Sequence, residues 1–435
     1  MKKNDIEPRS VTVVGERSRT EPYELPAGWK WCRLGEVADW GSGGTPSRKN
    51  PEYYNGSIPW IKTGELNESY IFDSEEKISE EAINHSSAKL FPKETVVLAM
   101  YGATIGKTAI FGIDASTNQA CACAICHKDL DNHYLFNFLK SKKDYFIYNA
   151  KGGAQPNISQ EIIKNTFIPL PPTLAEQKRI VSRIESLFTK LDEAKDKAQS
   201  VVDGFELRRA AILHKAFTGE LTAKWRKEHG VKDESWEEKR LEDVCEKIVC
   251  GKTPKEFIST TGDIPYLKVY NISNNKIDFE TTPQFIPKEI HEGKLASSIL
   301  KPYDVIMNIV GPPLRKIAII PEDYPEWNMN QAIVRFRPLN EVNYKYLYWA
   351  LINPETLSSV IEETRGVVGQ QNISVSQSRN LIIPVPTLAE QQEIVRILDT
   401  VLEKEADAKE TAEYVLEQIA LLKKSILARA FRGKL

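Results

Sequence analysis

The chain has 435 residues, 41% of them hydrophobic, and a formal net charge of −2. That length accommodates two packed domains with connectors, and the near-neutral balance excludes a protein that holds nucleic acid by bulk positive charge alone. No apolar run reaches the ~20 residues of a membrane-spanning helix, so no membrane partner is expected. The start, Met1-Lys2-Lys3-Asn4-Asp5, lacks a signal-peptide core, and six cysteines without framework spacing suit a reducing compartment, so a cytoplasmic location is expected.

In chain order, residues 1–24 are rich in Glu, Arg, Ser and Thr and read as a disordered leader. Residues 25–171 read as a first mixed domain, with strands over 95–100 and 108–111 around a glycine-containing turn and a helix over 133–148. Residues 172–221 read as one long helix. A second mixed domain follows over 222–385, with strands over 304–309 and 316–320 and a helix over 344–351, and a second long helix covers 386–435. The expected fold class is α+β: two similar mixed domains separated by two long antiparallel coiled-coil helices, an internal pseudo-two-fold repeat.

The repeat carries this reading. Asn157-Ile158-Ser159 and Pro171-Pro172-Thr173-Leu174-Ala175-Glu176-Gln177 return as Asn372-Ile373-Ser374 and Pro384-Val385-Pro386-Thr387-Leu388-Ala389-Glu390-Gln391. The displacement of 214 positions between Ala175 and Ala389 is the same between Phe217 and Phe431, so the connectors repeat without insertion. Upstream the match is looser: Gly44-Thr45-Pro46 against Lys252-Thr253-Pro254, Ile58-Pro59-Trp60-Ile61-Lys62 against Ile264-Pro265-Tyr266-Leu267-Lys268, and Asn118-Gln119-Ala120 against Asn330-Gln331-Ala332. One fold is used twice with two different surfaces.

Within the first connector apolar positions step by four and three through Ile180, Ile184, Leu187, Leu191, Ala194, Ala198, Val201, Phe205 and Ile212, with Arg208 as a break. The second repeats this through Ile394, Leu398, Val401, Ala408, Ala412, Val415, Ile419, Leu422 and Ile426, with Glu405 as a break. Such a seam predicts helices of about 45 residues that pack on each other within the chain. Thr173 and Thr387 stand at N-cap positions with Glu three residues later, the pattern of a capping box.

Three motifs suggest chemistry and none sustains it. Gly102 to Thr108 resembles a phosphate loop, but Tyr101 stands where that motif needs glycine, and the other half has Pro312 and Pro313, which remove backbone donors. Cys121, Cys123, Cys126 and His127 resemble a metal set, but alternation on a strand points Cys126 away from the first two, and the sister segment Ile333 to Phe336 has no ligand. No acid pair, cofactor loop or histidine recurs between the halves, so no catalytic residue and no metal site are assigned.

A loop chemistry suited to nucleic acid does recur. The first half offers Thr45, Ser47, Arg48, Lys49, Lys62, Thr63, Tyr101, Thr104, Lys107, Lys151, Gly152, Gln155 and Asn157. The second offers Lys252, Thr253, Lys255, Lys268, Tyr270, Arg315, Lys316, Arg365, Gln370, Gln371 and Asn372. Lys, Arg, Ser and Thr suit phosphate contacts, while Arg, Asn and Gln can bond bidentately to base edges.

Leu25-Pro26-Ala27-Gly28-Trp29 before Leu34-Gly35-Glu36, Gly43-Gly44-Thr45-Pro46, Ile58-Pro59-Trp60-Ile61 and both copies of Thr-Leu-Ala-Glu-Gln make the chain resemble the specificity subunit of type I restriction-modification systems. The resemblance covers nearly the whole chain from Leu25. It implies two target-recognition domains, each reading one half of a split site in double-stranded DNA, held apart by the helices. It also implies docking of two methyltransferase subunits and, through them, of restriction and translocase subunits. S-adenosylmethionine, ATP and Mg would then sit on those partners, with no cofactor in this chain. A non-enzymatic scaffold whose two domains bind proteins rather than DNA is the alternative.

Overall fold

The computed structural model describes residues 22–153, 155–232, 235–254, 258–311, 313–358, 360 and 372–435. The chain divides into two compact units, residues 1–198 with 414–435 and residues 199–413. Each unit therefore combines one globular domain with stretches of both long helices. Among the described residues no helix is long and apolar enough to cross a membrane.

In the first unit, strands Ala38–Ser42, Cys121–Cys126, Val96–Ala99, Thr108–Phe111 and Tyr70–Ile71 form a five-stranded sheet in that order. A four-stranded sheet orders Lys77–Ile78, Ile58–Ile61, Ala115–Thr117 and Leu90–Phe91, with Trp60 opposite Ser116 in a parallel pair. Lys30–Arg33 pairs antiparallel with Phe167–Leu170, so the strand entering the domain closes on the strand leaving it. The second unit repeats the plan. Val249–Cys250, Ile333–Phe336, Val305–Asn308 and Ile317–Ile319 form one sheet, and Phe285–Ile286, Ile264–Leu267 and Asn328–Met329 another, with Tyr266 opposite Asn328 in the parallel pair. Glu237–Arg240 closes on Ile382–Val385. All four residues of Val96–Ala99 and of Val305–Asn308 are buried, which explains why these central strands read as unbroken apolar runs.

The repeated motif before each long helix has a mechanical meaning. Gln177 is buried; its Oε1 accepts from the Asp131 amide at 2.8 Å and its Nε2 donates to the Asp129 carbonyl at 2.9 Å. Gln391 does the same, accepting from Asn343 at 2.8 Å and donating to Glu341 at 3.0 Å. Asp131 and Asn343 cap the helices Asn132–Ser141 and Tyr344–Ile352, so the glutamine fastens each long helix to the start of its domain helix. The threonine half of the expected capping box forms, with Thr173 and Thr387 hydroxyls accepting from Glu176 and Glu390 amides at 3.2 and 3.4 Å. The glutamate carboxylates go elsewhere. Glu176 pairs with Arg179 at 2.8 Å, and buried Glu390 accepts from Arg226 and Thr222, each at 2.6 Å.

The ends of the long helices complete the cores. Phe431 stands edge-on to Tyr134 and Phe138, with centroids 5.1 and 5.2 Å away, inside the core of the first unit. Phe217 lies 5.4 Å from Tyr346 in the core of the second. Tyr23, within the span read as a leader, packs on Trp31 and donates its hydroxyl to the Phe431 carbonyl at 2.7 Å; residues 1–21 lie outside the described residues.

Each unit shows the helices antiparallel. In the first, Arg179 reaches the Leu435 carbonyl and Asp192 reaches Lys423, so advance along one helix is retreat along the other. In the second, Phe205 faces Lys409 and Arg208 faces Glu405. The second long helix runs unbroken over Leu388–Ala430, whereas the first is Leu174–Asp203 followed by Phe205–Phe217, with Gly204 between. The seam residues Ile180, Ile184, Leu187, Leu191, Val201 and Phe205, with Ile394, Leu398, Val401, Val415, Ile419 and Ile426, are buried or half-buried. Ala408 and Leu422, expected on the seam, are exposed. Half-buried Lys409 and Lys423 take their place, with ammonium groups 4.9 and 5.0 Å from the ring centroids of Phe205 and Phe188.

Candidate nucleic-acid interface

In the first unit the turn Asn118-Gln119-Ala120 is the meeting point of three loops. The Asn118 amide donates to the Ile61 carbonyl at 3.2 Å, just before Lys62 and Thr63. The Ala120 carbonyl accepts from Met100 at 2.9 Å, just before Tyr101. Gln119 Oε1 accepts from the Thr45 hydroxyl at 2.5 Å. The second unit builds the same hub: Asn330 donates to Leu267 at 3.0 Å just before Lys268, Ala332 accepts from Ile309 at 2.8 Å, and Gln331 accepts from Thr253.

Close approach makes the glycine of this hub obligatory. A Cβ on Gly43 would lie 1.9 Å from the Thr117 carbonyl oxygen, and one on Gly251 would lie 2.0 Å from that of Met329. Gly43 and Gly251 share this constraint; Gly44 is closed as well, by Ser87, whose hydroxyl and carbonyl oxygens a Cβ would meet at 2.1 and 2.5 Å, whereas the position opposite it in the repeat is the exposed Lys252. The aromatic of each Ile-Pro-aromatic motif braces the same spot: Trp60 Nε1 donates to the Gly44 carbonyl at 3.0 Å and the Tyr266 hydroxyl to that of Lys252 at 2.9 Å.

A fourth loop joins through backbone pairing. In the first unit Ile158 donates to Met100 at 2.9 Å, Gly102 to Pro156 at 2.8 Å, and Lys151 and Asn157 bond each other in both directions. Thr104 donates its hydroxyl to the Tyr101 carbonyl at 2.8 Å. Ile373 donates to Ile309 at 2.9 Å in the second unit, placing Asn372 at the equivalent point. The segment that resembles a phosphate loop is thus a short turn between strands, with the Gly102 and Lys107 amides engaged.

Thr45, Ser47, Arg48, Lys49, Tyr101, Lys151, Gly152, Gln155 and Asn157 are exposed, as are Lys252, Thr253, Tyr270 and Asn372. Lys62, Thr63, Thr104, Lys107, Lys268, Arg315 and Lys316 are half-buried. Lys255, Arg365, Gln370 and Gln371 lie outside the described residues. Thr45 and Thr253 are not loose loop hydroxyls, since each is bonded to the hub glutamine. Two of the candidate cations are already paired: Glu76 accepts from Arg48 at 2.6 Å and from Lys62 at 3.0 Å, and Glu75 lies 3.3 Å from Lys62. Those bonds, Arg48 first, hold the Glu76 carboxyl down at about 2. Lys316 spends its ammonium on the Val269 carbonyl at 3.4 Å.

Sequence reasoning passed over Gln119, Gln331 and Glu76. The recurrence of Asn-Gln-Ala was the available signal for the first two. Both glutamines are exposed, and because each Oε1 is held by a threonine, its NH2 is oriented as a donor toward an incoming acceptor. The cysteine set stays apart from this chemistry. Cys121 and Cys123 are buried on one strand, and burial pushes the Cys123 thiol up to about 12.

The profile of the family described as type I restriction modification DNA specificity domain matches residues 26–201 and again residues 233–418. The Escherichia coli EcoR124I/EcoR124II specificity subunit is 32% identical over 166 residues, which are 37% of this chain and 41% of that relative. The MjaVIII specificity subunit of Methanocaldococcus jannaschii is 24% identical over 424 residues, 94% of each chain. A solved chain described for complex assembly and conformational transition of the type I R-M system shares the fold, with a TM-score of 0.72 at 21% identity over 95% of this chain and 100% of that one. The two profile matches fall on the two repeats, and the chain belongs to the type I restriction-modification DNA specificity family as a DNA-recognition subunit rather than an enzyme.

Proposed function

We propose that each globular domain reads one half of a split target in double-stranded DNA, through the loops gathered at its Asn-Gln-Ala turn. The observation that carries this is the shared hub: two domains of different surface keep the same hydrogen-bonded frame and vary what projects from it. An oriented glutamine NH2 matches the acceptor atoms of purine and thymine edges in the major groove. Around it Ser47, Lys49, Lys107 and Lys151 in the first domain, and Lys252 and Lys268 in the second, reach for phosphates, while Arg48 is held back by Glu76 and Lys316 by the Val269 carbonyl. Domains over 25–171 and 222–385 with spacers over 172–221 and 386–435 are the division we adopt.

The long helices set the gap between half-sites and offer surface to two methyltransferase subunits, through which restriction subunits join. S-adenosylmethionine, ATP and Mg belong to those partners, and the assembly works in the cytoplasm. A net charge of −2 supports reliance on partners for phosphate neutralisation. The test is methylation mapping after exchange of residues 30–157 for the matching span of a relative, in cells that supply the methyltransferase subunit. One half of the methylated motif should change and the other persist; a change in both or in neither overturns independent reading.

A further inference from the structure

Arg315 breaks two rules at once. In the repeat, residues 311–317 stand against residues 102–108, and the positions before the pairing lysines correspond: Lys107 bonds Ala99 as Lys316 bonds Asn308, at 2.9 and 3.0 Å. In the first domain the residue before that lysine is Gly106, at φ +82, where left-handed backbone is free of strain. In the second it is Arg315, at φ +71. A long side chain held in that region is strained, and such strain gathers at functional positions.

The side chain is also unsatisfied. Arg315 is half-buried, and among the described residues it has no ion pair or hydrogen bond. Burial and the charge of Arg209, from the second half of the first long helix, both press it below its ordinary value. Among the described residues Arg209 pairs only with Glu206, at the long distance of 3.8 Å, and Glu206 lies on the rim of the same cavity with most of its side chain in solvent. Two arginines thus face one cavity of about 470 Å³, whose walls include Leu213, Leu314, Ile317 and Ile352. Like charges placed side by side in a recess are costly unless an anion joins them.

We infer that this cavity between the second domain and the first long helix receives a carboxylate side chain, flanked by apolar residues, from a partner protein. Duplex DNA fits the place less well. The pocket is recessed, and the adjoining groove mixes Asp399, Glu403 and Asp407 with Lys276, Lys345 and Lys409, Lys345 already paired with Asp399 at 2.8 Å, so it presents no continuous positive track for a polyanion while a single carboxylate can lie within reach of the arginines. The site extends the docking role proposed above and does not depend on how the domains read DNA.

The probe is acetyl-Leu-Glu-Leu-amide with its glutamine counterpart, added to the full chain and followed by ligand-observed NMR, which registers millimolar binding. The glutamate peptide should bind roughly tenfold more tightly than the glutamine peptide. That preference should vanish in R315G, which restores the glycine of the sister turn and so retains the fold, and in R209Q. Equal binding of the two peptides, or binding of neither, overturns the proposal. Displacement of the peptide by a short duplex or by inorganic phosphate at comparable concentration overturns it in favour of a phosphate contact. In a second arm, R315G should weaken assembly with a methyltransferase subunit about tenfold in the absence of DNA. If the unaltered chain fails to assemble, the docking role falls while the peptide measurement still judges the pocket.

Discussion

Arg208 joins the two positions at which the apolar seams of the long helices are interrupted. Its Nε donates to Glu405 at 2.7 Å, and its Nη2 donates to the Val201 carbonyl at 2.9 Å. That carbonyl lies beside the helix break at Gly204, where a Cβ would sit 2.4 Å from Arg208 Nη1. The repeat-equivalent positions are Leu191 and Leu422, so only one of two related places on the helices carries the ion pair. A single polar contact on an apolar seam penalises every other register.

Gly204→Ala should therefore destabilise the chain although alanine is the better helix former by about 1 kcal/mol. In an Arg208→Ala background the same change should become stabilising. Urea unfolding of the four proteins of this cycle supplies the numbers, and additivity of the two changes would dismiss the packing explanation.

Gln391→Ala should cost ~1–3 kcal/mol, because it removes a buried side chain that bonds the half-buried amide of Asn343 and leaves the Glu341 carbonyl without its donor. Hydrogen exchange of the Asn343 amide should accelerate with it. Unaltered exchange at that amide would show that the glutamine does not fasten the helix.

Glu76 should act as a local brake on DNA binding, since it occupies Arg48 and Lys62. Glu76→Gln frees both cations and should raise affinity in the assembled complex, steepening the salt dependence by up to about two phosphate contacts. The pH effect follows from the direction of the shift. A carboxyl depressed to about 2 contributes stability that is complete above its ordinary range and is lost as pH falls toward about 2. Acid titration of stability in the native chain should show this loss between those limits, and Glu76→Gln should remove it.

Gln119→Ala should leave folding within ~0.5 kcal/mol, as an exposed position, yet relax the base preference at one position of one half-site. Methylation mapping checks this; a uniform loss across sequences would mark Gln119 as a backbone contact instead.

The repeat made the fold legible. Two copies of Thr-Leu-Ala-Glu-Gln, the central strands and the paired helices could be placed because buried elements obey simple periods. The site was legible only as a set of loops. Nothing local in Thr45 announces that Gln119, 74 positions later, holds its hydroxyl, or that Glu76 claims Arg48. Glu390 looked like a capping residue because its spacing from Thr387 fits, yet Arg226, from beyond the first connector, takes its carboxylate. On the second helix Ala408 and Leu422 fit the seam by hydropathy, while Lys409 and Lys423 fill it with their stems over aromatic rings, a choice that hydropathy cannot see.

The insertion of Phe431 between Tyr134 and Phe138 bears on how the chain is made. A ribosome delivers residues in order, and domains generally fold as they emerge. The first unit lacks Leu427, Ala430 and Phe431 from its core until the chain has been extended past them, whereas the second, residues 199–413, is contiguous. The domain synthesised second can thus close first, and the one synthesised first waits, with part of its apolar interior open, for the last turns of the second long helix.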